Sequence, residues 1–413
     1  VKNGTSAKIA FNKSGENEIK LAYTMSVNGS DREITSTSVK VTAYEVRFYN
    51  ADGTYQSVYA AYGDAVSAEA DSVPGYHFSG WYDIPEGGKN NGSKFTSGVL
   101  GKIGNLSLYA NLSPNKYTVT YDATYGEAAK ESDDVYYNES FKLLVPTTQD
   151  ENLVFDGWYT DVNGAGTRYT DRYGNSVRNY MFTDDTVLKA NWKKLFNFTL
   201  NTQKDGYNVT GGDALDTFTQ VKIPEKYQDL PVLSVDDLST GIALEKVEIP
   251  RYAQIVTGDG EGVLSSAFRS CKKLASIEVY EPADDELKKL DAKFTSFDGV
   301  IYEILEVVSV PTETGSVNEI KSTKLSMVPL AKGGSMKVYE KTTEIAPYAF
   351  NRSVVEEIIV PASVETVGSN AFDTCSNLKR VVFENAEDAK PLTLGKTAFK
   401  SCGKLEEVTL PAR

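Results

Sequence analysis

Ala371-Phe372-Asp373-Thr374-Cys375 is one of three copies of a single phrase, and those copies hold every cysteine of the chain. The other two are Ala267-Phe268-Arg269-Ser270-Cys271 and Ala398-Phe399-Lys400-Ser401-Cys402. A fourth copy, Ala349-Phe350-Asn351-Arg352-Ser353, ends in serine. Each is followed by a short apolar run: Leu274-x-x-Ile277-x-Val279, Val355-x-x-Ile358-x-Val360, Leu378-x-x-Val381-x-Phe383 and Leu405-x-x-Val408-x-Leu410. Ala-Phe pairs lie 22 (349 to 371) and 27 (371 to 398) residues apart, a period at which coils stack into a solenoid because no coil buries its apolar face alone. The spacing predicts one short strand per coil on the concave side, with Ala-Phe on the opposite side. The cysteines then read as small buried side chains that mark the register. Three thiols at one repeat position are not a disulfide framework, although Cys375 and Cys402 fall on neighbouring coils.

Pro361-Ala362-Ser363-Val364-Glu365-Thr366-Val367-Gly368, continuing through Phe383, gives the cleanest copy of the whole unit. The pattern resembles the BspA-type leucine-rich repeat family, over residues 195–413. That resemblance implies a bacterial or protist surface protein that adheres to host or microbial ligands. Phe196-Asn197-Phe198-Thr199-Leu200 and Tyr207-Asn208-Val209-Thr210-Gly211 read as a β-hairpin cap over the first coil. Between Phe268 and Ala349 the register breaks. There Phe297-Asp298-Gly299-Val300-Ile301-Tyr302 and Lys324-Leu325-Ser326-Met327-Val328-Pro329 read as a strand pair within degenerate coils.

Residues 45–194 hold a second repeat. One unit, 45–115, carries Pro74-Gly75-Tyr76-His77-Phe78-Ser79-Gly80-Trp81-Tyr82 and closes on Leu106-Ser107-Leu108-Tyr109-Ala110-Asn111. The next, 116–194, carries Val154-Phe155-Asp156-Gly157-Trp158-Tyr159 and closes on Thr186-Val187-Leu188-Lys189-Ala190-Asn191-Trp192. Glycine lets the chain pass close to a large ring, and the tryptophan is the natural plug of a small core. These phrases resemble the Listeria–Bacteroides repeat, the B-repeat of internalin B. The resemblance implies small β-grasp-like modules in secreted or wall-attached proteins, acting as spacers or auxiliary binding modules. Leu112 and Lys189 depart from the family's closing phrase. Residues 1–44 alternate with turn signals, as in antiparallel β structure. They read as a partial β-sandwich similar to the end of an immunoglobulin or PKD module. The fold expected is therefore mainly β and multidomain.

The net charge of −14 argues against a nucleic-acid partner, and no apolar run is long enough to cross a bilayer. The chain opens at Val1 without a leader and stops at Arg413 just past a strand-like run, so both ends read as cut points. His77 is the only histidine; it lies in an alternating run that turns it outward and leaves almost no material for histidine-based catalysis or metal binding. The cysteines lack the spacing and histidine partners of a zinc site. Asp161-Val162-Asn163-Gly164-Ala165-Gly166 reads as a turn rather than a calcium loop. The pairs Asp133-Asp134 and Asp284-Asp285 read as solvated loops. No enzyme activity, metal or cofactor is expected.

The expected function is adhesion or binding at a bacterial cell surface or as a secreted protein. The partner would be a host or microbial protein or glycan, the chain a monomer, and the repeats at 45–194 spacers. The alternatives are a structural stalk and a non-catalytic appendage of a larger secreted enzyme. If all strands stack in register, their outward residues form two rows. The first is Lys246, Ser276, Glu357, Arg380, Glu407, and the second Glu248, Glu278, Ile359, Val382, Thr409. The second turns from acidic to apolar at Ile359 and Val382, where a ligand face would be sought first.

Overall fold

The computed structural model describes residues 9–20, 22–255, 267–312 and 315–412, so Val1 and Arg413 lie outside it. The chain divides into two compact units, Val1–Thr147 with Gly157–Asn191, and Thr148–Asp156 with Trp192–Arg413.

In the first unit, strands Val39–Tyr49, Tyr55–Ala61, Tyr76–Tyr82 and Leu106–Pro114 form one sheet. Its first and last strands run parallel at the centre, and the other two pair antiparallel outside them. The second module repeats this order with Lys116–Asp122, Ser132–Tyr136, Leu153–Tyr159 and Thr186–Lys194. Between the second and third strands the chain crosses as irregular backbone, not as a helix. The tryptophan holds that crossing in both modules: Trp81 Nε1 donates to Ala68 O (3.3 Å) and Trp158 Nε1 to Leu144 O (2.7 Å). Trp158 is fully buried and stacks on Tyr121 at 4.6 Å, while Trp81 packs edge-on against Phe48 at 5.0 Å.

Among the described residues before Ala43, none is buried. Gly15–Ile19 pairs antiparallel with Val39–Ala43, so it extends the first module's sheet. Ala22–Val27 and Ser30–Thr35 make a separate exposed hairpin. The strand Val39–Tyr49 runs unbroken through position 44, where the sequence places a boundary.

Asp133 corrects one expectation. It lies half-buried in the strand Ser132–Tyr136, not in a solvated loop, and accepts hydrogen bonds from Tyr121 Oη and Lys130 Nζ. Asp284 is likewise half-buried and pairs with Lys226. His77 is exposed, with Nδ1 2.9 Å from Asn115 Oδ1.

The second unit contains the solenoid. Its coils contribute to two parallel ladders where the sequence suggested one. The outward ladder holds Gly333–Lys337, Val354–Val360, Arg380–Phe383 and Glu407–Thr409. The second is built from the short strands Thr342–Ile345, Thr366–Val367 and Thr393–Leu394. Two-residue strands carry too little alternation to be seen in sequence.

The Ala-Phe turns form a further line of contact between coils. Phe350 N–H donates to Ala371 O and Phe372 N–H to Ala398 O, both at 2.8 Å. The rings follow the same spacing, Phe350 to Phe372 and Phe372 to Phe399 each at 4.8 Å. The thiols face the preceding coil. Cys271 donates to Leu238 O (3.3 Å), Cys375 to Phe350 O (3.1 Å) and Cys402 to Phe372 O (3.0 Å). In the fourth copy Ser353 is buried, with Oγ 3.8 Å from the Cys375 Sγ of the following coil.

The strand pair expected in the interrupted region is present and much longer: Val300–Thr312 runs antiparallel to Gly315–Met327. Its root is a wall between two cores. Ile301 and Met327 join the core of Phe268 and Ile277, while Val300, Tyr302 and Leu325 join that of Phe350 and Ile358. Alternation of side chains along a strand sends neighbours to opposite sides.

Three outcomes test this packing. Phe372→Ala should cost the solenoid about 3–5 kcal/mol in denaturant unfolding, as for other large core truncations. Gly157 has φ +153°, and a Cβ there would sit 2.2 Å from Thr170 O, whereas one on Gly80 meets only the mobile end of Lys94. Gly157→Ala should therefore lower the melting temperature of its module clearly more than Gly80→Ala does. Finally, burial, with a smaller contribution from Asp237, pushes the Cys271 thiol up to about 12. The half-buried Cys402 is shifted down, because the Cys375 thiol and peptide N–H hydrogen-bond to its thiolate. At pH 8, below the Cys271 value, an aromatic disulfide reagent should label Cys402 first in the folded protein, and Cys271 only after denaturation.

Candidate functional site: the strand face of the solenoid

The ten outward residues picked from the sequence fall on two sheets, not one. Lys246, Glu248, Ser276 and Glu278 belong to a three-stranded parallel sheet of Gln220–Lys222, Lys246–Pro250 and Ser276–Tyr280. There Lys246 pairs with Ser276 and Glu248 with Glu278. Glu357, Ile359, Arg380, Val382, Glu407 and Thr409 lie on the four-stranded sheet, in the expected register. The rows do not run through. The turn between Phe294–Phe297 and Val300–Thr312 takes the place of the next strand: Ile277 N–H donates to Gly299 O (2.9 Å) and Val279 N–H to Ser296 Oγ (2.9 Å). That is the correction to the sequence reading, which assumed uninterrupted stacking.

On the three-stranded sheet the polar groups satisfy one another. Lys246 Nζ lies 2.9 Å from Glu248 Oε1, which raises the lysine pKa chiefly through that hydrogen bond. Ser276 Oγ donates to Glu278 Oε1 (3.0 Å), and Ser296 Oγ from the hairpin root donates to Glu278 Oε2 (3.3 Å). Lys222, which sequence reasoning left out of the rows, pairs in register with Glu248 and stands 4.1 Å over the Tyr280 ring.

The four-stranded sheet is more open. Ile359 is 38% exposed and pairs with the half-buried Val382. Beside them run Glu357, Arg380 and Glu407, with Arg380 Nε 3.1 Å from Glu407 Oε2 and Ser335 Oγ donating to Glu357 Oε2 (3.1 Å). Thr409 Oγ1 donates to Glu407 Oε1 (2.9 Å). Lys337 continues the apolar row and lies 3.4 Å from Glu384. Its strand, Gly333–Lys337, was missed because two glycines hide the alternation. The result is a small apolar spot bordered by solvent-facing ion pairs. Among the described residues no group of His, Cys, Asp and Glu could hold a metal ion, and no helix is long and apolar enough to cross a membrane.

Two like modules of mixed sheet and a solenoid of stacked coils define a multidomain β repeat protein. Residues 315–413 match the BspA type leucine rich repeat region in 6 copies, and residues 44–111 and 117–191 match the Listeria-Bacteroides repeat domain. The chain thus carries a BspA-type leucine-rich repeat region and two Listeria–Bacteroides repeat modules, both kinds of repeat typical of bacterial surface or secreted proteins. Internalin H of Listeria monocytogenes is 28% identical over 158 residues, which is 37% of this chain and 27% of that protein. The chain therefore spans about a quarter of that relative. Among solved structures, the T. pallidum leucine-rich repeat protein is similar at 18% identity and TM-score 0.31, over 51% of this chain and 88% of the other. A leucine-rich repeat protein of Bacteroides ovatus is similar at 18% identity and TM-score 0.28, over 53% and 46%.

Proposed function

We propose that the protein is an adhesion or binding protein displayed on, or released from, a bacterial cell, with residues 195–413 binding and the modules at 45–115 and 116–194 spacing them from their anchorage. The partner is a host or microbial surface protein or glycan. One observation supports this reading above others: Ile359 and Val382 stand side by side, exposed and half-buried, on a regular sheet where Arg380 pairs with Glu407 and Lys337 with Glu384. Burying such an apolar spot gains hydrophobic free energy, the arrangement found at the centre of protein interfaces. The matched families support the cell-surface setting, and the tryptophan-pinned cores support compact modules suited to spacing.

The test is a binding screen of the whole chain against matrix proteins and a glycan array. It is repeated with an Ile359→Asp/Val382→Asp double variant and with Arg380→Glu. Saturable binding that weakens about tenfold or more in the double variant, with an unchanged melting temperature, is the expected result. Absence of saturable binding, with function kept when the span is exchanged for an inert spacer, would favour a stalk instead.

A further inference from the structure

We propose that the inserted hairpin carries a second binding site, where an extended peptide with an acidic side chain adds as a strand to the hairpin's free edge. The proposal is independent of the strand-face reading. Strand Phe294–Phe297 pairs with the first residues of Val300–Thr312, from Phe297 against Val300 to Phe294 against Glu303. One more bond follows, Ile304 N–H to Lys293 O (3.0 Å), and then the neighbouring chain turns away. From Leu305 to Thr312 no strand of the described residues pairs along that side, while on the other side pairing continues as far as Thr312 against Gly315. A row of unpaired backbone donors and acceptors in line with an existing strand is a template for strand addition.

A cavity of about 440 Å³ opens where the neighbour leaves, within the range that holds ligands. The hairpin supplies its apolar wall through Ile304, Val307 and Ile320, and the facing wall carries Arg251, Lys288 and Lys289. Val307 is 46% exposed, so an added strand would cover it. Two carboxylates, Glu281 and Asp291, also line the cavity, so the cations outnumber them by one. Each cation is paired with a carboxylate that faces solvent: Arg251 with Glu281, Lys288 with Asp285 and Lys289 with Glu286. Ion pairs of that kind hold weakly, and a ligand carboxylate entering the cavity displaces them at small cost. Backbone pairing supplies affinity, and the apolar wall and the three cations select a peptide that alternates β-branched residues with an Asp or Glu.

The experiment pans a random dodecapeptide phage library on the full chain, then measures synthetic copies of the enriched peptides by fluorescence anisotropy. Enriched peptides should alternate apolar residues and carry an acid. Their dissociation constants should rise about tenfold or more in Lys288→Glu/Lys289→Glu and in Val307→Asp, both on solvent-exposed side chains. Hydrogen exchange should slow along 305–312 on binding. No enrichment, a preference for basic peptides, or affinities indifferent to these variants would overturn the proposal. Sedimentation that reveals a dimer lost in Val307→Asp would overturn it in favour of a second copy of the chain on this edge. Binding lost only in Ile359→Asp/Val382→Asp would also overturn it, while leaving the strand-face reading standing.

Discussion

Each coil of the solenoid hands the backbone N–H of its Ala-Phe turn to the next coil, and the rest of the packing follows from that contact. Phe350 donates to Ala371 and Phe372 to Ala398 at one distance, so the turns repeat at the separation of paired strands. Ala349 and Ala371 are buried in these turns. The phenylalanine rings follow at 4.8 Å, Phe350 tilted and Phe399 stacked against Phe372, and fill the space between coils. A carbonyl already in the turn's own hydrogen bonding keeps room for a second donor, and the thiol supplies it. No coil has a complete core or a complete set of hydrogen bonds by itself, so stability accrues through neighbours.

Much of this was legible in the chain because the repeat restates itself. Phe268, Phe350 and Phe372 are all buried, and the strand runs after them occupy the expected places. The role of Cys271, Cys375 and Cys402 was half legible: small volume could be inferred from Ser353, but donation to the preceding coil depends on where a carbonyl points, which no spacing encodes. The strand face was legible within each sheet and not across them. Ser276 and Glu357 look alike in sequence, yet the hairpin root ends one ladder at Ser276–Tyr280 before another starts at Gly333–Lys337. Asp133 was misread because a pair of aspartates is usually solvated, and only the fold brings Tyr121 and Lys130 onto it.

The hairpin therefore does two things at once. Its root closes two cores, and its outer half carries apolar residues out of both. An insertion that only lengthened a coil would not need buried side chains on both faces of its first residues. The strand face and the hairpin edge are also unlike as surfaces. On the face the polar groups are paired across strands, leaving an apolar spot. On the edge the backbone itself is available.

The wall at Val300–Tyr302 has a consequence for a protein loaded by mechanical pull. A uniform solenoid peels one coil after another, each losing only its neighbour's contacts. Here the peeling front meets two antiparallel strands whose side chains are locked into both halves, so many contacts must be sheared together before the tear can pass. The insertion is in that sense a rip-stop, dividing the stack into halves of which one can fail while the other keeps its shape.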